Sequence, residues 1–319
     1  MPAIDMPLDE LKKYMGTNPK PDDFNEYWQD AINEMRNVKS NIEIRPAELQ
    51  FKNTECFHLY FTGVRGARIH AKYLRPTNVK DPLPALIMFH GYSGQSGDWS
   101  TKLSFVHAGF AVFALDCRGQ SGLSEDTGGV QGTTYSGHIV RGLSDRPEQL
   151  LFRQLFLDAA QLAGIVFGMP EINTDHVMAM GGSQGGGLAV ACAALESRIS
   201  RVSIIHPFLS DYQRVWEMDL AKQAYEEINF YFRRIDPLHE KEKETFLKLG
   251  YIDVQNMAER IRGTVQMGIT LMDTVCPPST QFAVYNKITA EKELLIYPDY
   301  AHETPPGYAD KVLMFLEDY

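Results

Sequence analysis

Six short runs of apolar residues set the strongest limit on how this chain can fold. They lie between residues 84 and 299, with helical stretches between them, and read "PALIMFHG", "FAVFALDCRG", "HVMAMGGS", "RVSIIHPF", "TVQMGITLMD" and "KELLIYPD". A strand buried on both faces of a parallel sheet is uniformly apolar, whereas a strand with one face in water alternates. The runs therefore predict an α/β fold, with a mostly parallel central sheet flanked by helices.

The residues before and between these runs predict additions to that sheet. Residues 1–40 have a helical pattern, in which Phe24, Trp28 and Ile32 recur every fourth position. Three alternating segments between residues 42 and 76 predict antiparallel strands. Residues 211 to about 262 are charged and aromatic at helical spacing and predict a helical insertion. We expect one domain, 1–319, that carries this N-terminal helical and antiparallel extension and the insertion.

Two segments between the runs are read differently. Leu155, Ala159, Leu162 and Val166 step by four, three and four, which predicts a helix with one apolar face. Residues 124–145 are rich in Gly, Ser and Thr without a sustained period, which predicts a long loop. The sequence leaves open whether that loop lies near a functional site or at a subunit contact.

Composition excludes several classes of partner. With 31 Lys and Arg against 41 Asp and Glu, the net charge of -10 disfavours nucleic acid and anionic membranes. The apolar runs are far shorter than the roughly 20 residues that span a bilayer, and the first residues lack the basic and apolar segments of an export signal. Cys56, Cys117, Cys192 and Cys276 have no metal-binding spacing, so we expect buried thiols, no metal, no cofactor and a cytoplasmic location.

The third apolar run ends in five glycines around one serine. Gly181 to Gly185 matches G-x-S-x-G, and it lies between a predicted strand and a predicted helix, "GLAVACAALES". A nucleophile held in a sharp strand-to-helix turn needs neighbours without side chains, which predicts Ser183 as the nucleophile. The Gln184 N–H then lies at a helix N-terminus, where it can stabilise an oxyanion. The alternative is a Gly-rich turn or phosphate loop, although the spacings that phosphate loops require are missing.

A serine hydroxyl needs a base, and the base needs a carboxylate that fixes its tautomer. Asp273 follows the fifth run and His302 follows the sixth. The order Ser183, Asp273, His302 is the order typical of α/β-hydrolases, with each residue at the carboxyl end of a strand. We predict that Asp273 orients His302 and that His302 is the base.

Other strand-end residues are rivals for these roles. Asp299 fits a solvated loop acid and Asp116 precedes the serine, while His90 and His206 also follow strands. The segment "MFHGYSGQSGDW" after the first run begins like an oxyanion loop, and the Tyr92 N–H is the predicted second oxyanion donor. An ordinary Gly/Ser turn is the alternative for that segment.

Three signatures and the first residues together resemble a known family. They are Arg118-Gly119-Gln120, the Gly181–Gly185 segment with glutamine after the serine, His302-Glu303, and the leading segment "MPLDELKKYMGTNPKPDDFNEYW". The chain resembles carbohydrate esterase family seven, the acetyl xylan esterases and cephalosporin C deacetylases, over essentially its whole length.

The resemblance implies an α/β-hydrolase fold, the triad Ser183, Asp273 and His302, and an oxyanion hole from Tyr92 and Gln184. It also implies a homo-hexamer with sites facing an internal cavity, and small acetylated substrates such as xylo-oligosaccharides and cephalosporin C. The alternatives are a broader carboxylesterase or peptidase of the same fold and, more remotely, a non-catalytic module that binds a ligand.

The remaining motif residues receive supporting roles. We expect Arg118, Gln120 and Glu303 to brace loops, with Glu303 capping the helix that begins near Tyr308 or pairing with an arginine. Tyr92, Pro207 and Phe208 are candidates for lining the acyl pocket. Core packing is the alternative for the last two.

Overall fold

The computed structural model describes residues 4–129 and 138–318. Within these ranges nine strands form one sheet, in the order β1-β2-β3-β5-β4-β6-β7-β8-β9. The strands are β1 (Glu43–Pro46), β2 (Thr54–Thr62), β3 (Arg68–Pro76), β4 (Leu83–Phe89), β5 (Ala111–Leu115), β6 (Ile172–Gly182), β7 (Arg201–Ile205), β8 (Thr264–Thr270) and β9 (Lys292–Tyr297).

The sheet has an antiparallel edge and a parallel body. Strands β1, β2 and β3 pair in antiparallel fashion, and β3 pairs antiparallel to β5. Strands β4 to β9 are parallel to one another. The six apolar runs coincide with β4 to β9, so both the predicted parallel sheet and its antiparallel extension are confirmed. The carboxyl ends of six strands consequently lie at one edge of the sheet.

Helices cover the sheet and join its strands. The α-helices of the described residues are α1 (Leu8–Leu11), α2 (Phe24–Arg36), α3 (Leu103–His107), α4 (Leu151–Phe167), α5 (Gln184–Leu195), α6 (Tyr212–Glu217), α7 (Glu226–Ile235), α8 (Glu242–Leu249), α9 (Pro278–Lys287) and α10 (Tyr308–Glu317). Short 3-10 helices lie at Val64–Gly66, Trp99–Lys102, Pro147–Gln149, Gln223–Tyr225, Gly250–Ile252, Val254–Asn256 and Ala258–Arg260. The part of the chain described here has no helix that is both long and apolar enough to cross a bilayer.

The predicted helix is α4, and its predicted apolar face is buried, but the expectation that only this face is buried is wrong. Every residue of α4 except Gly164 is buried. The second face is covered by α2, where the fully buried Trp28 packs on Phe156 with ring centroids 5.9 Å apart. Arg153 on α4 pairs with Glu34 on α2 at 2.7 Å. The N-terminal extension thus completes the burial of a helix that would otherwise present its outer face to water.

The insertion is helical, as predicted. Residues 211–262 contain α6, α7, α8 and four of the 3-10 helices. The predicted loop 124–145 lies partly outside the described residues, since 130–137 are not described. On either side of that gap, 124–129 and 138–145 contain neither helix nor strand, and Arg141 pairs with Asp126 at 2.5 Å.

Candidate active site

The turn between β6 and α5 consists of Ser183 alone. Its backbone angles, φ 56° and ψ -124°, lie outside the regions that a serine normally occupies. The surrounding backbone holds this strained turn, because the Ser183 N–H donates to the Ile205 carbonyl at 3.1 Å. The Ser183 carbonyl accepts from the N–H groups of Gly187 at 3.1 Å and Phe208 at 3.0 Å. The hydroxyl-bearing residue is therefore fixed at the carboxyl edge of the sheet.

Close backbone contacts explain two of the glycines beside Ser183. A Cβ atom at Gly185 would lie 2.2 Å from the carbonyl oxygen of Phe89, at the end of β4. A Cβ atom at Gly181 would lie 2.3 Å from the carbonyl group of Gly185. Real Cβ atoms do not approach backbone this closely, so any larger residue would push the turn away from β4.

Ser183, His302 and Asp273 form one hydrogen-bonded chain. The His302 Nε2 atom lies 2.9 Å from the Ser183 Oγ atom, and the His302 Nδ1 atom lies 2.8 Å from Asp273 Oδ2. Asp273 is fully buried, whereas 23% of the His302 side chain is exposed. The sequence order placed these three residues after different strands, and the structure brings their side chains together.

The buried carboxylate of Asp273 is surrounded by donors. The N–H groups of Val275 and Cys276 each donate to Oδ1 at 2.8 Å. The Gln281 side-chain amide and the Thr270 hydroxyl lie 3.4 Å from Oδ2, beside His302. Hydrogen bonds of this kind offset the cost of burying a carboxyl group.

His206 lies against His302. The two imidazole rings have centroids 4.3 Å apart at an angle of 43°. Burial, and then the neighbouring His302, lower the pKa of His206 to about 4, so this ring is neutral at neutral pH. His206, Asp273 and His302 also bring possible metal ligands within 4.8 Å of one another. We interpret this cluster as a hydrogen-bonded His–Asp pair with a packing imidazole, because two of its members already bond each other.

The two predicted oxyanion donors belong to segments that are tied together. Helix α5 begins at Gln184, so the N–H of that residue has no intrahelical acceptor. The Gln184 side chain exchanges two hydrogen bonds with Gln120, at 2.8 and 3.0 Å. Its Nε2 atom also lies 3.4 Å from the carbonyl oxygens of His90 and Gly91. Tyr92, the next residue, is consequently held beside the serine turn, and Gln120 is hydrogen-bonded to the Gln184 side chain that contacts this loop.

The rival residues have other surroundings. His90 uses both ring nitrogens, since Nδ1 lies 2.8 Å from the Gly91 carbonyl oxygen and Nε2 accepts from the Cys117 N–H at 3.0 Å. Asp116 is buried against His70 at 2.6 Å, and Asp299 is exposed. None of the three contacts Ser183 or His302 in the hydrogen bonds of the described residues.

The supporting residues differ from one another. Arg118 is buried and binds Asp158 with two hydrogen bonds of 2.6 Å, so it braces α4 as a paired arginine should. Within the part of the chain that the structure describes, Glu303 makes neither of its expected contacts. Glu303 is exposed and accepts from the Ala301 N–H at 3.4 Å, while α10 is capped by Gly307. The expectation fails because Glu303 lies in a surface turn, short of the helix start.

Of the candidate pocket residues, Pro207 and Phe208 are buried and Tyr92 is half-buried. Phe208 is fully buried, and its ring meets that of Tyr92 edge-on with centroids 5.4 Å apart. Pro207 is also buried. A residue that the sequence did not single out, Glu227, accepts a hydrogen bond from the Tyr92 hydroxyl. No pattern in the sequence separates this glutamate from its charged neighbours on α7.

Comparison with known proteins assigns the chain to a family. The sequence model of the acetyl xylan esterase (AXE1) family matches residues 1–319. The chain belongs to the acetyl xylan esterase family. The resemblance inferred from the motifs is confirmed, and the sheet has the α/β-hydrolase fold.

Two solved structures of family members resemble the chain closely. Acetyl xylan esterase 1 from Thermoanaerobacterium sp. JW/SL YS485 is 57% identical, with a TM-score of 0.97 and 99% of each chain covered. The acetyl xylan esterase from Paenibacillus sp. R4 is 34% identical, with a TM-score of 0.94 over 98% of this chain and 100% of that one.

A third similar protein is acetyl esterase Axe7A from Xylanibacter ruminicola, 27% identical over 92% of this chain. The chain spans 66% of the length of that relative. The family and these relatives place the chain among the carboxylic ester hydrolases.

Proposed function

We propose that the chain is a serine esterase that removes acetyl groups from small acetylated sugars, such as acetylated xylo-oligosaccharides. The observation that carries the proposal is the hydrogen-bonded chain from Ser183 through His302 to Asp273, with Ser183 on a strained turn. Membership of the acetyl xylan esterase family supports the acetyl group as the acyl part.

The first half of the reaction acylates Ser183. His302 Nε2 removes the hydroxyl proton while Ser183 Oγ attacks the acetyl carbonyl carbon. The N–H groups of Tyr92 and Gln184 stabilise the negative charge that develops on the carbonyl oxygen. Asp273 remains ionised and holds the imidazole with its Nδ1 proton directed at the carboxylate. The alcohol then leaves with the proton that His302 carries.

The second half returns the enzyme to its starting state. A water molecule loses a proton to His302 Nε2 and attacks the carbonyl carbon of the acetyl-enzyme. The same two N–H groups hold the second oxyanion. Its collapse breaks the bond to Ser183 Oγ, which recovers its proton from His302, and acetate departs.

The acyl preference and the nucleophile can be tested in one assay. We expect the purified protein to hydrolyse 4-nitrophenyl acetate much faster than 4-nitrophenyl octanoate, and Ser183→Ala to remove both activities. Ser197→Ala is the matched control, because Ser197 is exposed just beyond the end of α5. Octanoate cleavage as fast as acetate cleavage would overturn the acetyl preference. Activity that survives Ser183→Ala would overturn the nucleophile.

The same chemistry extends to cephalosporin C, whose acetyl ester we propose as an alternative substrate. Release of acetate from cephalosporin C and from acetylated xylo-oligosaccharides can be compared directly. A peptidase of the same fold would instead cleave 4-nitroacetanilide at a rate comparable to that of the ester. We expect hydrolysis of the ester alone.

Assembly and location are further proposals. A homo-hexamer rests on the resemblance to carbohydrate esterase family seven, and light scattering that shows a stable monomer would overturn it. A cytoplasmic location is supported by the four cysteines, which are free and buried. We also propose one domain over 1–319, because α2 packs on α4 and the insertion contributes Glu227 beside Tyr92.

A further inference from the structure

Glu227 is a buried acid that reaches from the insertion to the predicted oxyanion loop. It lies on α7 with 3% of its surface exposed. The Tyr92 hydroxyl donates to its carboxylate. The N–H groups of His138 and Val140 donate to it as well, at 3.2 and 2.9 Å. Three separate segments, namely the loop after β4, the residues from 138 to 140 and α7, therefore meet at this side chain.

Among the described residues, Glu227 has hydrogen-bond donors around it but no ion pair with a cation. Burial raises the pKa of Glu227 to about 7, and the hydrogen bonds from Tyr92 and from the N–H groups oppose that rise. His138 is neutral, because burial lowers its pKa to about 4. Arg141, three residues further along, pairs with Asp126. Both carboxylate oxygens accept hydrogen bonds, so conversion to glutamine leaves at least one buried donor without its acceptor and should lower the free energy of unfolding.

Tyr92 is the partner through which Glu227 can affect the reaction. The Tyr92 backbone N–H is a proposed oxyanion donor, and its ring packs edge-on against Phe208. The ring also contacts His138, with centroids 4.8 Å apart. Because the Tyr92 hydroxyl is hydrogen-bonded to Glu227, the ring is held in place, and the ring in turn limits the movement of the Tyr92 backbone. Displacement of an oxyanion donor by a fraction of the hydrogen-bond length weakens its effect on the transition state.

We propose that Glu227 is a positioning residue, which holds Tyr92 so that its N–H points at the acetyl oxygen and its ring closes the acyl pocket. This inference rests on the proposed esterase function and extends it, since it gives the insertion a direct role at the active site. It makes the short-acyl preference a consequence of a hydrogen bond that α7 supplies.

The test compares two adjacent glutamates of α7. Glu227→Gln keeps the shape of the buried side chain but removes its charge and one acceptor. Glu226→Gln is the control, because Glu226 is exposed on the same helix. We expect Glu227→Gln to lower kcat for 4-nitrophenyl acetate about tenfold to a hundredfold, with KM changed less than threefold. The ratio of butyrate to acetate hydrolysis should rise, and Glu226→Gln should match the wild type.

Tyr92→Phe makes the test independent of how well Glu227→Gln folds. It removes the donor while leaving Glu227 and both oxyanion N–H groups in the chain. We expect it to lower kcat to a similar degree and the double variant to be no slower than the slower single variant, because both substitutions act on the same contact between Tyr92 and Glu227. Tyr92→Phe also removes an acceptor of the His138 N–H. Wild-type kcat in Glu227→Gln, a loss that only follows the folded fraction, or additive losses would each overturn the proposal. Those results leave Ser183 as nucleophile, which the Ser183→Ala assay tests separately.

Discussion

Two His–Asp pairs of the described residues, each with a buried aspartate, look alike but differ in the surroundings of the second imidazole nitrogen. His302 Nδ1 lies 2.8 Å from Asp273, and His70 Nδ1 lies 2.6 Å from Asp116. The two pairs differ in what the other imidazole nitrogen, Nε2, contacts. His302 Nε2 faces the hydroxyl of Ser183 at 2.9 Å, in a side chain that is 23% exposed. His70 Nε2 faces His58 at 2.8 Å, and the His70 side chain is fully buried.

This difference shows what turns a histidine–carboxylate pair into a general base. Hydrogen bonding to a carboxylate orients an imidazole in both places, so orientation alone does not distinguish them. The two pairs are distinguished by whether the second imidazole nitrogen is accessible to a nucleophile and to substrate. Asp116 additionally binds two loops, through the N–H groups of Ser96 at 2.7 Å and Leu123 at 3.0 Å. We therefore propose that His302 and Asp273 take part in the reaction and that His70 and Asp116 support the structure.

The largest effect should follow from removal of the imidazole in the first pair. We expect His302→Ala to lower kcat about 10⁶-fold, because the serine loses the group that accepts its proton. The free energy of unfolding should change little, since the side chain is partly exposed. His239→Ala is the control, as His239 is an exposed histidine on the insertion. Stopped-flow and steady-state assays with 4-nitrophenyl acetate measure the rate, and a loss below tenfold would contradict the assignment.

The next effect concerns the carboxylate of the same pair. Asp273→Asn retains the shape of the side chain but no longer fixes the Nδ1 proton of His302. We expect kcat to fall about 10⁴-fold, while the protein remains folded by circular dichroism. Near-normal kcat in Asp273→Asn would show that Asp273, like Asp116, is not needed for the reaction, and would contradict the proposed difference between the two pairs.

The smallest effect on rate should come from the structural pair. Burial opposes ionisation of Asp116, yet the hydrogen bonds from His70 and from the loop N–H groups hold its pKa below its usual range. We expect Asp116→Asn to reduce the free energy of unfolding by about 1–3 kcal/mol, because a buried network loses its charged acceptor. Urea denaturation measures that change, and kcat of the folded fraction should stay within about tenfold of wild type. A larger loss of rate with unchanged stability would reverse the two assignments.

The sequence predicted the sheet well because burial on both faces leaves a direct signal. The six apolar runs became β4 to β9, of which β9 lies at the sheet edge and is only half-buried, and the alternating segments became the antiparallel edge. The incomplete prediction for α4 has a related cause. A periodic pattern identifies a face that must be buried, but it does not show that α2 covers the opposite face.

The candidate site divides in the same way. Ser183, Asp273 and His302 could be selected because each follows a strand of a parallel sheet, and such ends converge. Glu227 could not be selected, because its neighbour Glu226 is also a glutamate. Only the packing of α7 shows that Glu227 is buried and Glu226 is exposed. His206 also follows a strand, and only the three-dimensional structure places it against His302.

The central claim is that Ser183 receives the acetyl group during the reaction. The direct measurement is mass spectrometry of peptides from protein quenched in acid within milliseconds of mixing with excess 4-nitrophenyl acetate. We predict that the peptide containing Ser183 gains the mass of one acetyl group, and that His302→Ala and Ser183→Ala show no such gain at the same time point. Acetyl label on another residue at full turnover, or none on Ser183 while 4-nitrophenol is released in a burst, would contradict the account.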